Sequence, residues 1–202
     1  MINRRDLIKG TAAVIPAAVG LQMLGTKWAF AADDFSGPVD VLNYALTLEY
    51  LEAEFYRQGN QADLLTGKAK SYLEDIQADE EAHVVALKDT ITSLGATPVA
   101  APAVDFGSAF KSKASYLETA YTFENLGVSA YLGAAPSLLK EKGLLTAAAS
   151  IFGVEARHAA ILGVLGKKEA EGGVYQGAFE KAASRAEVLK AASPFLVKAQ
   201  TL

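Results

Sequence analysis

Two histidines occur in the chain, His83 and His158, and each stands three residues after a glutamate, as Glu80-x-x-His83 and Glu155-x-x-His158. On a helix that spacing sets a carboxylate and an imidazole on successive turns of one face, where both can reach one point. Two further acids, Glu49 and Glu124, interrupt otherwise apolar helical stripes elsewhere in the chain. Carboxylate oxygen and imidazole nitrogen together suit iron or manganese better than copper or structural zinc. An unpaired carboxylate in an apolar interior costs several kcal/mol. Four or five of them are beyond what a domain stable by about 5–15 kcal/mol can tolerate. Almost no lysine or arginine falls on these stripes, so the charge balance calls for bound cations. Two divalent ions neutralise four glutamates and leave the two imidazoles as neutral donors.

The elements that must position these groups are helices. One stripe reads Leu42, Ala45, Glu49, Glu52, Tyr56 and a second Tyr72, Ile76, Glu80, His83, Leu87, Ile91. The third is Leu117, Tyr121, Glu124, Val128, Tyr131, and the fourth Leu144, Ala148, Ile151, Glu155, His158, Leu162, Leu165. The alternation of three and four residues keeps each set on one helix face. Starts and stops predict helices from Pro38 to about Gln58 (ended by Gly59-Asn60), about 68–94, about 113–133 and about 144–165, then a short one near 184–190. No segment alternates as a strand does. Between the second and third helices, the proline-containing stretch after Gly95 is long enough, at roughly 46 Å extended, to run the roughly 40 Å length of the second helix. Two antiparallel pairs joined by one long crossover predict an all-α, ferritin-like four-helix bundle, with its core at about 36–167 and a C-terminal helical extension over 168–202. One Glu from each of two helices, plus Glu-x-x-His from each of the other two, is the carboxylate-bridged two-metal pattern. In that reading Glu80 and Glu155 bridge two Fe or two Mn ions, Glu124 and one of the first-helix pair Glu49 and Glu52 are terminal ligands, and His83 and His158 bind one ion each. Tyr56 and Tyr121 are taken as aromatic residues beside the site, with Tyr131 a further candidate on the same stripe.

Composition narrows the alternatives. The 202 residues carry 19 basic and 23 acidic side chains, a formal net charge of -4, so no basic excess favours nucleic acid. Cysteine is absent, which removes disulfides, thiolate metal sites and iron–sulfur clusters. No His remains for a Ser/His/Asp triad, and neither an H-E-x-x-H nor a phosphate-binding glycine loop occurs. The first residues read as an export leader. Arg4-Arg5 precede a soft apolar run over 11–25, and Ala29-Phe30-Ala31 offers a small-x-small cleavage site. The run is too short and too weakly apolar to span a bilayer. The paired arginines make residues 1–31 a twin-arginine signal, which predicts the export machinery as a partner, a periplasmic or secreted mature domain over 32–202, and no membrane span after cleavage. The two methionines and the single tryptophan lie within that leader.

Several segments carry a family resemblance: Ala45-Leu46-Thr47-Leu48-Glu49-Tyr50-Leu51-Glu52-Ala53, Glu80-Glu81-Ala82-His83, Gly95-Ala96-Thr97-Pro98, 124–131 and 153–159. The chain resembles the exported bacterial ferritin-like proteins related to desiccation-associated proteins, over most of residues 32–202. The resemblance implies a ferritin-like bundle with a dimetal centre and no settled reaction. The Glu49-x6-Tyr56 spacing is similar to the first helix of ferritins and bacterioferritins. This favours Glu49 as the first-helix ligand, with Glu52 as an alternate. Absence of Cys sets the chain apart from rubrerythrins, and a mature chain without Met lacks the haem ligand of bacterioferritins. The expected chemistry is reaction of the ions with O2 or peroxide, as a ferroxidase, peroxidase or catalase under oxidative or desiccation stress. The rival readings are a non-catalytic metal-binding or stress-protective bundle and a structural bundle with an empty core. Oligomeric state is left open by the sequence, with a homodimer through one helix face as one reading.

Overall fold

The structure is a computed structural model that describes residues 35–197; the leader expected at 1–31 lies outside them. Five α-helices follow in order: α1 (Pro38–Gln61), α2 (Gly67–Ser93), α3 (Lys113–Ala134), α4 (Lys142–Leu165) and the short α5 (Arg185–Ala192). A turn of 3-10 helix, Ala135–Leu138, links α3 to α4, and another, Ser193–Phe195, follows α5. No strand occurs among the described residues, only isolated bridges. The most extensive packing is of α1 on α2 and of α3 on α4, which makes two hairpins.

Local chemistry explains the helix ends. Pro38 begins α1, where its missing N–H costs nothing. Ser112 caps α3 and Ser184 caps α5, each in a reciprocal box with the residue three positions on. After α2, Gly95 takes a left-handed φ of 77°. Its N–H donates to Thr92 O and that of Ala96 to Ile91 O, which closes the helix's open carbonyls.

Two details depart from the sequence expectation. Gly59 does not end α1, which continues to Gln61; it lies inside the helix because Tyr116 crosses there. A Cβ on Gly59 would meet the Tyr116 ring at 2.2 Å. In α2 the first buried residue is Leu73 at 0% exposure, not Tyr72 at 38%.

The expected crossover is present and is held at several points. The Val99 N–H donates to Asn43 Oδ1 on α1 at 2.8 Å. Further on, Val104 pairs antiparallel with Leu196 of the C-terminal extension. The bonds Asp105 N–H to Phe195 O and Val197 N–H to Ala103 O are both 2.9 Å. The extension also reaches the start of α1, where Arg185 grips Asp40 through two hydrogen bonds of 2.9 and 3.1 Å.

Helix α4 is long and apolar enough, by length and composition, to cross a membrane. Here it is one of the four bundle helices and carries Glu155 and His158 on its inner face.

One end of the bundle is filled by aromatic rings. Phe55 is in contact with Phe106, Phe110, Tyr116 and Phe123 at centroid distances of 4.9–5.4 Å. Phe195 of the extension closes on Phe123 edge-to-face at 4.8 Å.

Candidate metal centre

The four middle turns of α1 to α4 converge on one acidic cluster. Glu49, Glu80, Glu124 and Glu155 are each 0% exposed, with His83 and His158 at 9% and 6%. Two overlapping quartets have ligand atoms all within 4.8 Å of one another: Glu49, Glu80, His83, Glu155, and Glu80, Glu124, Glu155, His158. All six residues singled out by spacing thus meet. Glu80 and Glu155 belong to both quartets, while each imidazole belongs to one.

Glu80 lies between the two rings. Its Oε2 is 3.0 Å from His83 Nδ1 and its Oε1 is 3.0 Å from His158 Nδ1. His83 Nδ1 is also 3.1 Å from Glu49 Oε2, and His158 Nδ1 is 3.2 Å from Glu124 Oε2. The far nitrogen of His158, Nε2, is 3.1 Å from Asp79 Oδ2. Across the bundle, the Tyr56 hydroxyl donates to Glu124 and the Tyr131 hydroxyl to Glu49.

Glu155 is different. Neither of its oxygens accepts a hydrogen bond, and the nearest cationic partner is His83 Nδ1 at 3.5 Å. A fully buried carboxylate without a donor is costly as an anion. Its burial, with the charges of Glu80 and Glu124 next, holds its carboxyl well above the ordinary range. Burial and the Glu124 charge raise Glu80 to about 8, against hydrogen bonds from both imidazoles. Burial alone would lower His83 and His158. Hydrogen bonds to Glu49 and Glu80 carry His83 up to about 10, and those to Glu124 and Glu80 carry His158 up to about 11. The cluster therefore retains protons that a cation would displace.

The remaining expected residues divide. Glu52 is buried at 3% exposure but joins neither quartet. Its Oε1 sits 3.5 Å from where a Cβ on Gly127 would lie. Burial and three neighbouring glutamates raise its carboxyl well above the usual range. Tyr56 is fully buried at the cluster.

Tyr121 is not at the cluster. Its hydroxyl donates to Gly173 O at 2.5 Å and accepts from Gln176 Nε2 at 2.7 Å, both in the C-terminal extension. The second tyrosine bound to an acid of the cluster is Tyr131, because the phenol must sit two helical turns beyond its own glutamate to reach the opposite helix.

Two contributors were not picked out from the sequence. Asp79 immediately precedes Glu80 and falls off the apolar stripe, so periodicity does not mark it. Gly127 lies where a Cβ would come within 2.5 Å of Glu155 Oε2; nothing in a helix interior distinguishes such a glycine beforehand.

The site has an internal repeat. A single sequence offset carries Glu49 to Glu124, Tyr56 to Tyr131, Glu80 to Glu155 and His83 to His158. The two hairpins are therefore related by an approximate twofold through the cluster. That symmetry is broken where Glu52 faces the equivalent Gly127 and where Asp79 corresponds to Val154.

A four-helix bundle whose core holds this cluster of acids and imidazoles has the architecture and the donor set with which carboxylate-rich helical bundles can hold metal ions. The family model described as "Ferritin-like domain" matches residues 37–168. The chain belongs to that family, and the match ends where the C-terminal extension begins. No curated protein sequence matches the chain significantly.

Proposed function

We propose that the chain binds two ions of iron or manganese in this cluster and reacts them with O2 or peroxide, in the periplasm, as part of a defence against oxidative or desiccation stress. The observation that carries the reading is Glu155, buried and accepting no hydrogen bond, beside four other buried glutamates. The donor set of the cluster and the lack of a hydrogen-bond donor to Glu155 fit a divalent cation.

Glu49 and His83 would hold one ion, and Glu124 and His158 the other. Glu80 and Glu155, common to both quartets, would span the two. When bound, the pair of ions supplies one electron apiece, so that a peroxide taking up two electrons and two protons leaves as two waters. The protein's own groups prepare the site for this. Tyr56 and Tyr131 orient Glu124 and Glu49 and each keep a proton at the phenol oxygen, since burial raises both hydroxyls well above their ordinary range. Asp79 fixes the ring of His158 through Nε2. Glu52 keeps a proton beside the ligands and can serve as an alternate donor. The apolar packing around the cluster limits access of water. Export rests on the Arg4-Arg5 pair and the Ala29-Phe30-Ala31 site.

Anaerobic titration with Fe(II), followed by mixing with O2 or peroxide, tests the reading. Two equivalents bound, an optical transient and repeated turnover are expected. The double variant His83→Ala, His158→Ala should lose two-metal loading, and full metal retention in that variant would refute the ligand assignment. Stoichiometric binding without turnover would instead make the bundle a metal sink. Metal at background level in protein purified from its native compartment would leave only a structural bundle.

A further inference from the structure

The approximate twofold gives the two ends of the bundle equivalent positions, and they are filled differently. At the end beyond Tyr56 the interior is occupied by the rings around Phe55. At the opposite end, formed by the first half of α1 and the second half of α3, lies an apolar cavity of about 60 Å³. The internal repeat shows why it is there. Cavity-lining Ala130 corresponds to Phe55, Ala148 to Leu73, and Ala86 to Ile161. Phe55 and Leu73 are both completely buried. The same backbone thus accepts large side chains at one end and has small ones at the other, so the void follows from residue choice and not from the fold.

The cavity adjoins the metal centre. Its wall includes Tyr131, whose hydroxyl donates to Glu49. Leu87 lies one turn beyond His83 and Ile151 one turn before Glu155, so both walls are a helical pitch of about 5.4 Å from the quartet of Glu49, Glu80, His83 and Glu155. The opposite end reaches the outside at exposed Ala86. The Thr90 hydroxyl, also in the wall, is turned back onto the Ala86 carbonyl at 2.7 Å. A void lined in this way offers water few partners, and apolar cavities stay dry and take up apolar gases; one of about 150 Å³ holds benzene or xenon. At well under half that size, this one suits a diatomic gas.

We infer that the cavity is a binding site for dioxygen, which reaches the first quartet past Tyr131. The occupant rests on the reaction with O2 proposed above; the site itself rests on geometry alone. Xenon is the probe. In the metal-free full-length chain, xenon pressure should shift the NMR signals of the Ala130 and Ala148 methyls in a saturable way. Two variants import the residue of the filled end, Ala148→Leu inside and Ala86→Ile at the exposed mouth, the second being safe for folding. Each should abolish xenon saturation at Ala130. In the iron-loaded protein each should slow oxidation by O2 by about an order of magnitude and leave dissociation of bound Fe(II) to a chelator unchanged. Absence of xenon shifts at these methyls, or their persistence in both variants, would overturn the site. Xenon bound here with an unchanged O2 rate in both variants would overturn dioxygen as its occupant. A loaded wild type that binds xenon here but is inert to O2 overturns both the occupant and the proposed reaction, while the gas site stands.

Discussion

Tyr131, on α3, donates its hydroxyl to Glu49, on α1, and so ties together two helices from different hairpins at the acid cluster. Tyr56 makes the mirror contact from α1 to Glu124 on α3. Each glutamate thus carries, two turns along its own helix, the tyrosine that serves its counterpart. The pair of contacts fixes the two hairpins in register at the level of the ligands.

Removing one hydroxyl tests this. Tyr131→Phe leaves the ring packing in place and deprives Oε1 of buried Glu49 of its donor, while Oε2 keeps His83. A hydrogen bond to a charged group contributes about 1.5–3 kcal/mol, and the metal-free protein should lose about that much stability. With metal bound, the loss should shrink, because Glu49 then has a cation. Urea denaturation with and without Fe(II) or Mn(II) measures both. An equal loss in the two states would mean that bound metal does not take over the role of the phenol at Glu49.

The metal-free protein should become less stable as pH rises. Glu80, His83 and His158 are raised to about 8, 10 and 11 respectively. All three lie above the ordinary values of about 4.3 for Glu and 6.5 for His, so the folded state binds more protons than the unfolded one between them. The stability from Glu80 is complete below about pH 4.3 and is lost as pH climbs through 8. That from the two histidines is complete below about pH 6.5 and is lost through 10 to 11. Metal affinity should move the other way and increase with pH, since binding expels these protons. Denaturation midpoints of the metal-free and loaded forms across pH 5–9 should therefore diverge as pH increases; parallel curves would contradict the proton count.

Two glycines should respond differently to alanine. At Gly59 the new methyl group meets the Tyr116 ring at 2.2 Å. That buried ring has little room, and the cost should be about 1–3 kcal/mol of stability. At Gly127 the methyl group meets Glu155 Oε2 at 2.5 Å, the end of a side chain that can rotate. Gly127→Ala should therefore retain most of its melting temperature and lose metal affinity. Calorimetry paired with a metal titration separates the two; a Gly127→Ala protein that melts early and binds metal normally would contradict the placement of Glu155.

Asp79 makes the two halves of the site unequal. It holds Nε2 of His158 at 3.1 Å, whereas its counterpart by the repeat is Val154. Asp79→Ala should weaken one of two binding steps by about 10–100-fold and leave the other nearly unchanged. Calorimetric titration resolves the steps, and equal weakening of both would rule out a role confined to His158.

Much of this arrangement was legible before any coordinates, and the reasons are physical. Glu49, Glu80, Glu124 and Glu155 stood out because a carboxylate on an apolar stripe conflicts with its surroundings, and the histidines because each trails such a glutamate by three. The crossover was legible from chain length, and the extension from the short helical stretch near residues 184–190. What was lost is what a stripe cannot rank. Tyr121 and Tyr131 share one face of α3, and only the antiparallel approach of α1 selects Tyr131. Tyr72 and Leu73 are neighbours near the edge of the α2 stripe, and the exact rotation of the helix decides between them. Gly59 reads as a stop signal until the Tyr116 ring is seen lying across it. Asp79 acts from outside the stripe altogether.

The pairing of Val104 with Leu196, and of Asp40 with Arg185, has a consequence for how the molecule is made. During synthesis each hairpin can form as soon as its second helix emerges, yet the strap over the crossover is supplied by residues translated after both. Until those residues leave the ribosome, the two hairpins can meet through the rings around Phe55 and the two tyrosine–glutamate contacts, but without the strap over the crossover. The last stitch is therefore sewn after translation of the bundle is complete, and docking of the tail is the late event that closes the strap over the crossover.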